Sequence, residues 1–285
     1  MYIETAQVVQ AIESLQQEPN LFKDYIFPIA SALFTSILGA GIAYFTLRSQ
    51  ENIQIEKDKM NNTNKWTFLL EEAGTTLMSI KMIYYDQLSD NPIQRISAIP
   101  NILLNAQPIN EKLESLSFIV KKLDSKTEPE KWSQISKIKL IVNSYNNLIY
   151  LWEQRNSIDK PIKEKLMAEF SNQGYIDMSE QEAIQAIGPA KMVLLIDLTE
   201  KVVKFTDDLL IEINDFLINF PAYAKSRIKT KQLKRFGSVI TYSNNGNTLL
   251  LAMLAKTPEP DFTSVEELFG KTSKEIKKRM KNGYE

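Results

Sequence analysis

The side chains that most often carry catalysis are missing from this chain. Its 285 residues include no histidine and no cysteine. That removes the Ser-His-Asp and Cys-His nucleophiles, the imidazole base, disulfides, and thiolate or imidazole metal sites. Any chemistry would have to come from carboxylates with Mg²⁺, a Ser/Lys pair or a bound cofactor. Pro260-Asp261 followed by Glu275-x-Lys277 has the PD…ExK order of metal-dependent nucleases. Such a site needs its carboxylates on adjacent strands, whereas Ser264-x-x-Glu267 and the Lys-rich run after it read as helix. Ser136-x-x-Lys139 is one piece of a serine-acylase pattern without the other pieces. Gly270-Lys271-Thr272 could end a phosphate loop, but Val265 stands where the first glycine is required. These fragments predict no enzyme, no metal and no cofactor.

Charge-bearing clusters are the next candidates. Asp197, Glu200, Asp208, Glu212 and Asp215 recur at helical spacing with Lys201 and Lys204 between them. That pattern predicts a solvated face with i,i+4 pairing; a di-metal carboxylate site would call for Glu-x-x-His. The chain carries 34 Lys+Arg and 35 Asp+Glu, a net of −1, but residues 225–285 hold thirteen basic and six acidic residues. The basic residues concentrate in Lys225, Arg227, Lys229, Lys231, Lys234 and Arg235, and again in Lys271, Lys274, Lys277, Lys278, Arg279 and Lys281. Such clusters can meet anionic lipid head groups, at about 1 kcal/mol per residue, nucleic acid, or acidic faces of the same protein. Ser264–Lys281 has a faint helix-turn-helix rhythm around Gly270, although Glu266 and Lys271 occupy positions where small and apolar residues are expected.

The element that would place these groups in a cell is the charge-free run Tyr25–Leu47, 23 residues between Asp24 and Arg48. About 20 apolar residues cross a bilayer as a helix. Tyr25, Phe27, Tyr44 and Phe45 suit the interfacial belts, and Pro28 falls in the first turn. The acidic residues before the run and its length argue against a signal peptide. One Lys/Arg precedes the span and four follow it within a similar length (Arg48, Lys57, Lys59, Lys65). The positive side is cytoplasmic, so residues 1–24 are expected outside and the rest in the cytoplasm, at the cell (inner) membrane. Ala32, Ser36 and Ala40, with Gly39 and Ala43, form a small-residue face on which two spans could approach closely and self-associate.

Beyond the span, apolar residues recur at alternating spacings of three and four in four segments, the seam spacing of packed helices. These are Trp66–Tyr84, Ile109–Leu123, Ile135–Trp152 and Val202–Phe220, the last extended upstream by Leu195 and Ile196. The run Asn61-Asn62-Thr63-Asn64 is expected to loosen the first helix. Asp159-Lys160-Pro161 should start a short helix ending at Gln173-Gly174, Ser179-x-x-Glu182 should cap the next, and the fourth long helix should stop near Pro221. Val239–Ser243 and Thr248–Ala252 flank Asn244-Asn245-Gly246-Asn247, which predicts a β-hairpin. Trp66, Trp132 and Trp152 fall on apolar stripes and are expected in the core.

The sequence thus predicts an all-α chain: a transmembrane helix at 25–47, a cytoplasmic antiparallel helical bundle at 48–224, and a basic region at 225–285 with a β-hairpin and helix. Function is expected to be non-enzymatic: self-association in membrane lipid, with the bundle as scaffold or sensor for a cytoplasmic protein. The alternatives are a bilayer-perturbing effector of a toxin-like or antiviral system, and nucleic-acid binding or cryptic catalysis through the basic region.

Overall fold

A computed structural model describes residues 2–15, 20–103, 105–121, 128–172, 175–176 and 178–281. Leu123 and Gln173-Gly174, used above, lie outside them. The chain is mostly helical and divides into two compact units, Met1–Glu56 and Lys57–Glu285.

In the first unit, helix α1 (Tyr2–Leu15) is followed by a π-helical turn, Phe22–Ile26, and then by α2 (Phe27–Tyr84), which continues into the second unit. The π turn precedes Pro28, which has no N–H to donate; widening of the helix just before a proline absorbs that break in the ladder. Among the described residues one helix, spanning Phe22–Tyr84, is long and apolar enough to cross a membrane, and none of its apolar stretch is buried.

In the second unit, α4 (Ile135–Phe170) and α6 (Pro189–Ser226) join the later half of α2 around one core. Trp66, Leu70, Leu77, Tyr84, Ile138, Tyr145, Trp152, Val202, Ile213 and Phe220 all lie in it, so three of the four seams are buried as their spacing predicts. Their directions differ from the antiparallel expectation. Tyr84 stacks on Trp152 with ring centroids 6.0 Å apart, and Tyr145 lies beside Thr76, so α2 and α4 run parallel. Helix α6 opposes both: Trp152 Nε1 donates to Thr206 Oγ1 at 3.1 Å and Arg155 Nε to Thr199 Oγ1 at 3.3 Å. Two parallel helices require a connection that returns along the length of the core.

That return explains the fate of the second seam. Apart from a 3₁₀ turn at Leu113–Ile119, the described residues between 99 and 120 are not helical. Asn146 on α4 accepts from Ile109 N at 2.9 Å and donates to Ile109 O at 3.0 Å. Asn156 treats Ile102 in the same way, at 3.3 and 2.7 Å. Each amide satisfies both backbone groups of one residue in a chain crossing the helix; a helix starting at Ile109 would engage that residue's carbonyl in its own ladder. Ile102, Ile109, Leu116 and Ile119 still turn inward.

Three further corrections have local causes. Helix α2 does not loosen at Asn61–Asn64; Asn64 instead donates to Ser238 O at 3.1 Å and accepts from Ile240 N at 2.9 Å. That contact holds Val239–Ser243 against α2 and forestalls the hairpin. Its intended second strand is α7 (Thr248–Met253), N-capped by Asn247, whose Oδ1 accepts from Leu250 N at 2.9 Å. The run Leu249-Leu-Leu-Ala-Met253 favours helix once capped, and Gly246 makes the turn at φ 79°. Finally, Pro161 and Pro221 lie inside α4 and α6 rather than at their ends. The buried faces carry on through both, with Ile162 and Leu166 on α4 and Phe220 and Ala224 on α6. Among the described residues, β structure is limited to the antiparallel pairing of Ser171–Asn172 with Tyr175–Ile176.

Helix α3 (Pro92–Ala98) is N-capped by Asn91. Helix α5 (Glu180–Ile187) has the capping box expected at Ser179 and Glu182. A 3₁₀ turn Phe262–Val265, one turn of α8 (Glu266–Phe269) and α9 (Ser273–Arg279) close the chain. Phe262, Val265, Ile276 and Met280 pack with Ile93 and Ile96 of α3 and with Met192, Leu195 and Ile196 of α6.

Candidate functional site

Two features stand apart from ordinary packing. The first is the small-residue face of α2: Ala32, Ser36, Gly39, Ala40 and Ala43 are exposed, and a Cβ added at Gly39 would meet nothing within 4 Å. Ser31 and Thr35 in the same stretch donate to their own helix, to Pro28 O at 2.9 Å and Ser31 O at 2.7 Å.

The second is a seam of buried charge where α2, α3 and α6 meet the strap Ala255–Pro260. The acidic row of α6 is not a solvated face along its whole length. Asp197, Glu200, Asp207 and Asp208 are buried, and cations from distant parts of the chain meet them. Lys81 Nζ lies 2.7 Å from Asp207 Oδ1, Arg95 Nε 3.1 Å from Glu200 Oε1, and Lys256 Nζ 2.6 Å from Asp208 Oδ1. Asp197 pairs with Lys201 at 2.8 Å and with Arg279 at 3.6 Å. Further along, Glu212 and Asp215 pair with Lys131 nearer the surface, as a solvated face would.

The same groups fix the strap by its backbone. Lys81 donates to Ala255 O at 2.5 Å, Arg95 Nη1 to Pro258 O at 3.0 Å, and Thr257 N to Asp207 Oδ2 at 2.6 Å. Arg95 Nε, Glu200 Oε1 and Asp207 Oδ1 are close to opposite charge yet lack an aligned hydrogen bond among the described residues. Charge rather than directional bonding holds those atoms. Burial pushes the Glu200 carboxyl from its usual 4.5 up to about 7, against the opposing pull of Arg95. Burial, with the Asp207 carboxylate beside it, also raises the Tyr84 hydroxyl. A cleft of about 130 Å³ lies between the seam and the strap, bordered by Arg95, Glu200, Lys204, Asp207, Pro258 and Lys277. It has room for water or a small polar molecule but falls short of the ~300 Å³ at which ligand pockets begin.

A companion cluster lies on α4. Arg155, fully buried, donates to Ile96 O, Ile99 O and Pro100 O at 3.2, 2.9 and 3.2 Å and pairs with Asp159 at 3.2 Å. Lys163 completes an i,i+4 ladder, 2.8 Å from Asp159. Burial draws both Arg155 and Lys163 below their ordinary values, with Asp159 opposing it.

The remaining sequence candidates separate. Asp261 caps the turn at Thr263, and Glu275 closes a capping box with Thr272. Those hydrogen bonds hold both carboxyls below their usual values, and each carboxylate has a local structural task. No three carboxylates among the described residues gather where a metal could sit. Helix α8 is a single turn, too short for the first helix of a helix-turn-helix pair. Lys225, Arg227, Lys229, Lys231, Lys234, Arg235, Lys274, Lys277, Lys278, Arg279 and Lys281 are all exposed; of these, Lys277 pairs with Glu259 at 3.0 Å and Arg279 with Asp197.

Sequence reading missed Lys81, Arg95 and Arg155. One signal was available: the spacing Trp152, Arg155, Asp159, Lys163 prolongs the α4 seam with charges of alternating sign. Compared with models of protein families, with curated proteins and with solved structures, the chain matches none.

Proposed function

We propose that this chain is a non-enzymatic, single-pass membrane protein. It self-associates through Ala32, Ser36, Gly39, Ala40 and Ala43, and its cytoplasmic helical bundle serves as scaffold or sensor for a partner protein. The observation that carries this reading is the charge-free run Tyr25–Leu47, helical and with no part of its apolar stretch buried. An uncovered apolar surface of this extent is stable in lipid rather than in water. The open space beside Gly39 is where a second span would pack. The seam under the strap supports the sensor role, because it ties a distant segment to ionisable groups.

A bilayer-perturbing effector has less support. Ser31 and Thr35, two of the few hydroxyls in the span, donate to their own backbone rather than outward. The test is the mass of the detergent-solubilised chain beside that of Gly39→Leu/Ala43→Leu. An oligomer that dissociates in the variant is the expected outcome. A wild-type monomer, or a variant of unchanged mass, refutes association through this face, and extraction of the chain from membranes by alkaline carbonate refutes the span.

A further inference from the structure

The first basic cluster is not a loose tail. Ile228, Leu233 and Val239 pack around Met60 of α2. Lys57 Nζ sits 5.3 Å from the ring centroid of Phe236, Arg227 Nη2 donates to Val120 O at 3.3 Å, and Asn64 holds the backbone at Ser238 and Ile240. The segment is thus fixed on the first turns of α2 in the second unit. There it presents Lys225, Arg227, Lys231, Lys234 and Arg235 to solvent. Phe236, 49% exposed, lies among them. From Phe216 to Pro258 the sequence has no Asp or Glu, so the segment itself is purely basic. Residues 48–56 are all the chain that separates Lys57 from the end of the charge-free run.

We infer that this face docks on the anionic lipid head groups of the leaflet where the span ends. The inference rests on the membrane reading above and adds a second contact to it. Cations around an exposed aromatic ring match a head-group layer, which takes charge at its surface and rings at its apolar boundary. The short tether raises the local concentration of head groups at the face, so modest attraction per charge is enough. A nucleic acid would offer phosphate without that tether and without an apolar layer for Phe236.

The experiment uses the full chain with Gln232→Cys, the single thiol in a chain that has none, labelled with an environment-sensitive fluorophore. The protein is reconstituted into phosphatidylcholine vesicles with and without phosphatidylglycerol. The expected result is flotation with both vesicles, a blue shift only with phosphatidylglycerol, and loss of the shift in high salt. Lys231→Glu/Lys234→Glu/Arg235→Glu should lower the docked-to-undocked ratio at least about a hundred-fold, at roughly five-fold per cation, with unchanged tryptophan emission and unchanged flotation. Flotation without a shift overturns the docking and leaves the span intact. Failure to float with neutral vesicles overturns the span itself. A shift that persists in high salt also overturns the docking, and this arm needs no charge-reversed variant. An equal shift with soluble glycerophosphoglycerol would identify a free-phosphate site, and a stronger shift with an RNA or DNA oligonucleotide a nucleic-acid face; either replaces the lipid assignment.

Discussion

Glu200 gives a prediction whose sign and size both follow from its surroundings. Its carboxyl is buried beside Arg95 and titrates near 7 in the fold, against about 4.5 when exposed. The folded chain therefore holds this proton more tightly than the unfolded chain does. Stability from this group is fully present below about pH 4.5 and is lost as pH rises through about 7. At about 1.4 kcal/mol per pH unit of displacement, the loss across that window is about 3 kcal/mol. That is a large part of the ~5–15 kcal/mol that holds a domain together. Glu200→Gln keeps the shape and removes the titration. The assay is urea unfolding of the full chain in detergent, followed by tryptophan emission, since Trp66, Trp132 and Trp152 are all buried in the main core. Wild type should lose midpoint stability between weakly acidic and weakly alkaline pH relative to Glu200→Gln, and the two curves should converge at low pH. Other titrating groups cancel in the difference. Parallel profiles for the two proteins would refute the burial assigned to Glu200.

Three further outcomes are expected. Arg155→Met leaves Asp159 with Lys163 alone and strands the carbonyls of Ile96 and Pro100, while Ile99 O keeps its bond from Lys163; unfolding should cost about 3–5 kcal/mol less, and Arg155→Met/Asp159→Leu should regain much of the loss. Asn156→Ala removes both bonds to Ile102 and should lower stability by about 1–3 kcal/mol, with amide exchange accelerated around Ile102 and unchanged in the middle of α6. For orientation, Ser14→Cys should react with an impermeant thiol reagent added outside and Ser49→Cys should not; the reverse pattern would invert the topology.

What could be read from sequence depended on whether the deciding interaction was local. Trp66, Leu70, Leu77 and Tyr84 were legible because period alone assigns them to one buried stripe. The Ser179/Glu182 box was legible because capping joins residues only three apart. Helix direction was not, since the same stripe serves a parallel or an opposed neighbour. Nor was the fate of Ile109–Val120, fixed by Asn146 on another helix. The hairpin failed for the same reason: Asn64, far upstream, takes up the backbone at 238–240. The acids of α6 read as solvated because Lys81, Arg95 and Lys256, their partners, are remote in sequence. The small-residue face of α2 was legible as a pattern, but its use depends on a second molecule.

The seam and the apolar anchor divide the work of holding the C-terminal region. Buried ion pairs such as Lys81–Asp207 and Arg95–Glu200 roughly break even against desolvation, so they are a poor source of attachment. Attachment comes from Phe262, Val265, Ile276 and Met280, each worth up to about 1.5–3 kcal/mol on burial against α3 and α6. What the charges control is position. Lys81, Arg95 and Asp207 all grip the strap by backbone groups, at Ala255 O, Pro258 O and Thr257 N. Such contacts are indifferent to strap side chains but sensitive to register: sliding the strap by one residue would leave buried charges unmatched. Weakening the apolar anchor should therefore detach α9 and the strap together. Altering a charge should leave the anchor seated and shift only the strap. Burial raises the Glu200 carboxyl to about 7 beside Arg95, so a change of pH through neutrality acts on the guanidinium that holds the strap at Pro258 O.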